Sequence, residues 1–211
     1  MTAFTDEAAK RCMAEFARFK KGKGKETDAP FFEFVGEFWK VGLKNNSING
    51  RTTFTDNKGH PFRPAWSAAF ISFIMRTSGA GKAFVYSEGH IHYIVQSLRD
   101  ARDSGTKSKF LGRDPTKYAP KVGDLIGAGR ESAKNVDFSQ VLAKYGKKAV
   151  PNGNFMPSHC DIVVSIDPAK KEVKTIGGNV LDTVGEKTWK LKADGTLVKG
   201  STLMCVIETL M

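Results

Sequence analysis

The chain has 211 residues, 40% of them hydrophobic, and its 33 Lys and Arg residues outnumber 22 Asp and Glu residues to give a net charge of +11. This length makes one domain the default and two small domains possible, and the hydrophobic share allows a sizeable core. Fifteen Phe and three Trp residues favour a packed globule over disorder. The charge favours an anionic partner such as nucleic acid, a membrane surface or an acidic cell-wall polymer, although scattered lysines also fit a role in solubility alone.

The cysteines and the apolar segments narrow the class further. Cys12, Cys160 and Cys205 argue against a disulfide framework and match no zinc-binding spacing, so no metal or other cofactor is expected. The N-terminal stretch has no continuous apolar run, and no segment approaches the roughly 18 apolar residues of a membrane span. We therefore expect a soluble chain made in the cytoplasm, with any export by a route that needs no cleaved leader.

The first 50 residues are patterned as two helices. Residues 5–19 carry apolar side chains at helical spacing, with acidic residues in the first turn. A basic, glycine-containing linker follows, and Pro30 suits the first position of a second helix. We expect residues 1–50 to form a helical extension and residues 51–211 to form the main domain.

The main domain begins with a turn-rich connection, with room for a short hairpin, and continues as helices. Residues 64–78 are apolar almost all round, which predicts a helix buried on most sides. Ser87 can cap the next helix, and a short helix is predicted at 137–145.

The hydrophobic period then changes to that of strands. The segments "HCDIVVSID", "EVKTIGGNV", "KTWKLKADGTLV" and "TLMCVIETL" read as strands joined by turns, and "KYAPKVGDLIGAG" reads as a turn that leads into another. Helices followed by antiparallel strands predict an α+β fold.

Ser67 lies in the first turn of the predicted buried helix. The unpaired N–H groups and the positive end of the dipole at a helix start favour a developing anion, so a nucleophile is well placed there. A serine hydroxyl needs a base within hydrogen-bond reach to act in this way. The competing interpretation is that Ser67 only caps or packs the helix, as serine commonly does.

His159 supplies a candidate base. Because side chains alternate along a strand, His159 and Asp161 share one face and Cys160 points to the other. Asn179 follows two glycines that allow close backbone approach to a neighbouring strand. Ser67, His159 and an amide or carboxylate make a coherent catalytic set, although each of these polar residues also has a structural interpretation.

Two alternatives use other residues. Cys160 is the rival nucleophile, although its apolar neighbours indicate that it faces the core. His90 and His92, with His159, suggest a metal site, but residues two apart on a helix diverge. His90 can instead approach the pocket from the side, because it lies in the first turn of its helix.

Four motifs carry a family resemblance. "AWSAAFISFIM", "YAPKVGDLI", "HCDIVV" and "IGGNV" occur in the order found in papain-like cell-wall hydrolases of the NlpC and CHAP type. The chain most resembles a bacterial domain-of-unknown-function family within that group that carries a "WSAAFIS" helix. The resemblance covers about residues 60–185.

The resemblance implies a papain-like fold, with helices packed on an antiparallel sheet, and a site. It puts Ser67 at the nucleophile position, where the family pattern has cysteine, His159 at the base position and Asn179 at the orienting position, with Asp161 as a helper. It implies hydrolysis of an amide bond in peptidoglycan without a cofactor, as an endopeptidase or amidase. A cysteine at a helix start can ionise to a thiolate near neutral pH, but a serine hydroxyl cannot ionise there. The implied site therefore depends on His159 as its base.

The resemblance also implies partners. Proteins of this kind include wall-remodelling enzymes, phage lysins and antibacterial effectors of contact-dependent systems such as type VI secretion. The implied partners are peptidoglycan and a cognate immunity protein, and the implied place of action is the periplasm or the cell wall. Two alternatives remain: an inactive binding module on the same fold, and a basic nucleic-acid-binding domain, for which no recognisable motif is present.

Overall fold

In a computed structural model that describes residues 2–103, 107–145, 156–200 and 202–211, helices pack on an antiparallel sheet. The described α-helices are α1 (Ala3–Arg18), α2 (Phe31–Glu37), α3 (Ser67–Thr77), α4 (His90–Asp103) and α5 (Phe138–Tyr145). The strands are β1 (Phe54–Thr55), β2 (Pro61–Phe62), β3 (Phe110–Arg113), β4 (Leu125–Gly129), β5 (Ser158–Asp167), β6 (Glu172–Gly177), β7 (Gly185–Lys190) and β8 (Leu203–Thr209). The predicted α+β class is confirmed.

The predicted N-terminal helices are present, with one correction. Helix α1 begins at Ala3 because Thr2 caps it, accepting a hydrogen bond from the Thr5 N–H at 3.2 Å. Pro30 was predicted at the first helical position, but it lies one residue earlier, at the N-cap of α2. It follows a cis Ala29–Pro30 peptide bond. Helix α2 passes directly into a π-helical turn at Phe38–Gly42.

The sheet has the strand order β3-β8-β4-β5-β6-β7, and every pairing is antiparallel. The predicted C-terminal strands are confirmed, as is the short hairpin formed by β1 and β2. Strand β3 was not predicted. The strand expected to carry Asn179 ends earlier, at Gly177, so Asn179 lies in the loop that follows β6.

The main core lies between the helices and one face of the sheet. Helices α1 and α3 contact β5 and β6, while α4 contacts β3, β5 and β8. Phe19, Phe38 and Trp66 form a continuous aromatic stack within this core, with ring centroids 5.7 to 6.0 Å apart. The N-terminal helices and α3 therefore share one core, and burial of these rings holds them together. A smaller apolar cluster covers the other face of the sheet.

None of the helices in the described part of the chain is long and apolar enough to cross a membrane. Helix α3 is buried from Ser67 through Met75. Its apolar surface is therefore used inside the core, as its pattern predicted.

Candidate functional site

Ser67 is the first residue of α3. The first hydrogen bond of the helix runs from the Phe70 N–H to the Trp66 carbonyl oxygen at 2.9 Å, so the N–H groups of residues 67–69 have no partner within the helix. Within the part of the chain that the structure describes, no side chain caps these groups. Ser67 is only 8% exposed and therefore lies at the positive end of a buried helix.

The start of α3 is anchored through Trp66. Its indole N–H donates to Glu26 Oε2 at 2.5 Å, and its ring stacks on Phe19 and Phe38. Glu26 is buried, and this burial raises the pKa of its carboxyl, against the opposing effect of the indole hydrogen bond. These contacts fix the position from which Ser67 projects.

Ser67 is hydrogen-bonded to a histidine of α4. The Oγ atom of Ser67 lies 2.7 Å from Nε2 of His90, which is the first residue of that helix. The other ring nitrogen of His90, Nδ1, accepts the backbone N–H of Cys160 at 3.1 Å and contacts the Tyr93 hydroxyl. Burial, with repulsion from nearby His159 and Arg130, lowers the pKa of His90 well below its ordinary value.

His159 forms a second buried pair with Asp161. Nε2 of His159 lies 2.7 Å from Oδ1 of Asp161, and both side chains are almost fully buried. Burial raises the pKa of Asp161, but the charge and hydrogen bond of His159 outweigh it and hold that pKa below its ordinary value. Nδ1 of His159 is buried without a hydrogen-bond partner in the described part of the chain, so no other group occupies this nitrogen.

Two glycines make room for these groups, although Gly178 approaches a helix and not the neighbouring strand that was predicted. A Cβ atom at Gly177 would lie 1.8 Å from Oδ1 of Asp161, and one at Gly178 would lie 2.4 Å from Cβ of Phe70 in α3. Gly177 thus admits the His159–Asp161 pair, and Gly178 lets the end of β6 approach α3.

The two pairs meet at their histidines. The ring centroids of His90 and His159 are 5.0 Å apart, which produces a buried cluster of Ser67, His90, His159 and Asp161. Within the described residues, the Ser67 hydroxyl is hydrogen-bonded to His90 and not to His159. The sequence-predicted nucleophile and base therefore lie in one cluster, with an additional histidine between them.

Asn179 does not contact His159, the residue that it was predicted to orient, among the described hydrogen bonds. Its backbone is left-handed, with φ of 55°, and its side chain is half-buried. The described hydrogen bond that orients the His159 ring is the one that Asp161 accepts. An orienting role for Asn179 stays a prediction.

Cys160 faces the core, as the strand alternation predicted. Its thiol is fully buried beside Tyr93 and Cys205, and burial first, then the neighbouring Cys205 and Asp161, raises the pKa of the thiol well above its ordinary value. A thiol that resists ionisation is a poor nucleophile. Cys12 and Cys205 are likewise free and buried.

Two cations flank the cluster. Arg130 directly follows β4, whose Ala128 pairs with His159. Lys187 lies on the same face of the sheet as Asp161, because Lys187 pairs across β6 with Thr175, which in turn pairs with Val163. Neither cation has a carboxylate within salt-bridge distance in the described part of the chain. Their charge favours an anionic group near the site.

The "GDLI" motif has a structural role. Asp124 accepts hydrogen bonds from the Lys121 and Thr209 N–H groups at 2.8 and 2.9 Å and from the Tyr118 hydroxyl at 3.0 Å. Burial raises the pKa of Asp124 to about 6. These bonds tie the turn before β4 to the end of β8, away from Ser67.

His90 is the site residue whose importance the sequence did not establish. Its place in the first turn of a helix suggested an approach from the side, but its partners come from α3 and β5, which only the fold brings together. No group of three or more His, Cys, Asp or Glu residues that could hold a metal ion is present among the described residues. The three-histidine metal site thus gains no support there.

Comparison with known proteins places the chain in a family. The sequence model described as "Uncharacterized protein conserved in bacteria (DUF2272)" matches residues 26–207, and the chain belongs to this family. The match begins at the residue that anchors Trp66 and includes all four residues of the cluster. No curated protein and no solved structure matches the chain.

Proposed function

We propose that this member of the DUF2272 family is a serine hydrolase that cleaves an amide bond in the peptide stems of bacterial peptidoglycan. The observation that carries the proposal is the buried cluster in which Ser67, at a helix start, meets two histidines, one of them paired with a carboxylate. A nucleophile, a base and an orienting acid are the components that acyl transfer requires.

In this mechanism, Ser67 Oγ attacks the carbonyl carbon and its proton passes to the free Nδ1 of His159. The carboxylate of Asp161 holds the ring and stabilises the imidazolium that forms. The unpaired N–H groups at the start of α3 face the negative charge that develops on the carbonyl oxygen. His159 then protonates the leaving amine, and water releases the acyl group from Ser67.

The proton transfer requires Ser67 and His159 to come within hydrogen-bond reach once substrate is bound. Catalytic hydrogen bonds are often long in a free enzyme and tighten in the complex, so the proposal expects this contact to form only when substrate is bound.

Two observations support peptidoglycan as the substrate. The order of the four motifs resembles that of papain-like wall hydrolases of the NlpC and CHAP type. In addition, Arg130 and Lys187 flank the cluster on a chain of net charge +11, and the peptide stems and wall polymers are rich in anionic groups.

The proposal is tested on purified muropeptides, with products separated by chromatography and identified by mass. Ser67→Ala and His159→Ala should abolish release of the product. Ser72→Ala is the matched control, because Ser72 is a second buried serine of α3 whose hydroxyl lies 3.4 Å from the Ser87 carbonyl oxygen, outside the cluster.

Three outcomes would contradict the proposal. If folded wild-type protein cleaves no muropeptide but still binds it, the inactive binding module is favoured. If Cys160→Ala abolishes cleavage and Ser67→Ala does not, the nucleophile is wrong. If the chain binds nucleic acid with an affinity that falls steeply with salt and does not bind wall fragments, the nucleic-acid alternative is favoured.

The proposed substrate also determines where the protein acts. Peptidoglycan lies outside the cytoplasm, so we propose delivery to the periplasm or cell wall, as a lysin or as an antibacterial effector such as those of type VI secretion. A cell that makes an effector needs protection from it, which implies a cognate immunity protein. Expression in one host with and without a secretory signal should show lysis only when the chain is exported, and His159→Ala should prevent that lysis. Equal toxicity in both compartments would indicate a cytosolic target instead.

A further inference from the structure

We propose that His90 is a second catalytic histidine, which acts as a neutral hydrogen-bond donor to the Ser67 oxygen and not as its base. The inference rests on the proposed function and assigns a role at the same site to a residue that the motif resemblance does not include. The two histidines of the cluster then divide the work: His159 moves the proton and His90 stabilises the oxygen.

The hydrogen bonds of His90 determine where its ring proton lies. The backbone N–H of Cys160 donates to Nδ1 at 3.1 Å, so Nδ1 must carry the lone pair. A neutral imidazole has one proton, which therefore lies on Nε2 and points to Ser67 Oγ at 2.7 Å. The Tyr93 hydroxyl also contacts Nδ1 and can donate to it.

The end of β6 explains why the Cys160 amide is available. Strand β5 pairs with β6 only from Ile162 onward, so that at Cys160 the strand has lost this neighbour. A buried backbone N–H needs an acceptor, and the His90 ring takes the place that a further residue of β6 would fill. The tautomer of His90 is thus set by main-chain architecture.

His90 also lacks what would make it a base. His159 has the Asp161 carboxylate at 2.7 Å to stabilise a positive ring, whereas the described hydrogen bonds of His90 go to a hydroxyl on each side and a backbone amide. A second proton on Nδ1 of His90 would displace the Cys160 N–H and create a buried charge. The depressed pKa of His90 agrees with a ring that stays neutral.

This arrangement has a definite consequence for the reaction. As the Ser67 O–H bond breaks, the proton forms an N–H bond at Nδ1 of His159, and the electron pair on Oγ attacks the carbonyl. Through this step the Nε2–H of His90 donates to the oxygen that is gaining negative charge. His90 neither gains nor loses a proton in the cycle.

Paired substitutions separate a donor from a base. Glutamine can donate from Nε2 but cannot take up a proton, whereas methionine fills similar space and donates nothing. We expect His90→Gln to react with a fluorophosphonate at Ser67 within about tenfold of the wild-type rate. We expect His90→Met to react about 100-fold more slowly, a loss comparable with that for removing one oxyanion-hole donor. His159→Gln should be inactive, because it removes the base.

The pH profile of the labelling gives a second readout. With His159 as the base, the dependence of the labelling rate on pH should be the same in His90→Gln as in wild type. If His90→Gln is as slow as His90→Met, or if its rate no longer depends on pH, His90 is the base and the inference fails.

A third readout does not depend on activity. In ¹⁵N-histidine-labelled wild-type protein at neutral pH, the His90 ring should appear as the Nε2–H tautomer, and a Nδ1–H or doubly protonated ring would overturn the inference. If wild type neither cleaves muropeptides nor reacts with the fluorophosphonate, the proposed function fails and the catalytic role of His90 fails with it. A reactive wild type whose His90 carries the proton on Nδ1 would overturn the inference about His90 alone.

Discussion

Gly177 shows how one missing side chain determines the site. Because a Cβ here would lie 1.8 Å from Oδ1 of Asp161 and 2.9 Å from Nε2 of His159, no larger residue can coexist with that hydrogen bond. We predict that Gly177→Ala separates the pair, destabilises the fold by about 1–3 kcal/mol as overpacking does, and lowers muropeptide cleavage at least tenfold.

Urea unfolding and cleavage rates measure the two effects. Gly200→Ala is the matched control, since a Cβ at Gly200 would meet nothing within 4 Å. This substitution should change neither the free energy of unfolding nor the cleavage rate. Full activity in Gly177→Ala would mean that the His159–Asp161 contact does not matter for catalysis.

The buried, neutral state of His90 predicts how stability depends on pH. The folded-state pKa of His90 is depressed, whereas in the unfolded chain it is near 6.5. Below pH 6.5 the unfolded state therefore binds a proton that the folded state refuses, and stability falls as pH decreases, by up to about 1.4 kcal/mol per pH unit. The pKa of Asp161 is also lowered in the folded state, so protonation of Asp161 reduces stability too, but only below its ordinary pKa of 3.8.

The test compares the free energy of unfolding at pH 7.5 and pH 5.5 in wild type and His90→Gln. Asp124 acts with the opposite sign, because its raised pKa of about 6 adds stability as pH falls from 6 toward 3.8. Since both proteins keep Asp124, the difference between them isolates His90, and wild type should lose more stability. Equal losses would show that His90 is charged in the folded state.

At the scale of elements, the start of α3 depends on an anchor from the N-terminal segment. Trp66→Phe keeps a ring to stack on Phe19 and Phe38 but removes the N–H that Glu26 accepts at 2.5 Å. A buried acceptor left without its donor costs about 1–3 kcal/mol. We predict that Trp66→Phe lowers the free energy of unfolding by this amount in urea titrations. It should also slow cleavage, because Ser67 is the next residue and loses its anchor.

Trp189→Phe is the matched control for this prediction. Trp189 lies on β7 and donates its indole N–H to Thr175 Oγ1 at 3.0 Å, away from α3. This substitution should lower stability without slowing cleavage. If both tryptophan variants slow cleavage equally, the anchor at Trp66 has no specific effect on Ser67.

The strands position the remaining residues of the site by where they end. Strand β5 brings His159 and Asp161 to one face, and the end of β6 at Gly177 frees the Cys160 amide for His90. Alternation along β5 was readable from the sequence because its period is two. The end of β6 could not be predicted from the sequence, because "KTIGGNV" has strand-forming residues on both sides of its glycines.

At the scale of the whole molecule, the charge of +11 should act on binding more than on chemistry. Exposed charges are screened by salt, whereas the buried cluster of Ser67, His90, His159 and Asp161 is shielded from it. We predict that binding to intact peptidoglycan weakens markedly between about 50 and about 500 mM NaCl, over which the Debye length falls from about 14 Å to about 4 Å, while cleavage of small muropeptides changes little.

Sedimentation of the protein with purified sacculi measures the first effect, and cleavage of a soluble muropeptide measures the second. An unchanged sedimented fraction over this range would mean that the net charge does not contribute to wall binding.

The sequence by itself determined the α+β class, the helix that begins near Ser67, the shared face of His159 and Asp161, and the core-facing side of Cys160. These features follow from local periodicity, which each segment carries in its own residues. The family resemblance also predicts that Ser67 and His159 share one site.

Only the tertiary structure decided which side chains touch. It pairs Ser67 with His90, 23 residues away, and His90 with the Cys160 amide, 70 residues away. It also assigned the contact with His159 to Asp161, with Asn179 left in a loop beyond the end of β6. Contacts between distant segments depend on how helices dock on the sheet and on where strands stop, and no periodicity within one segment specifies either.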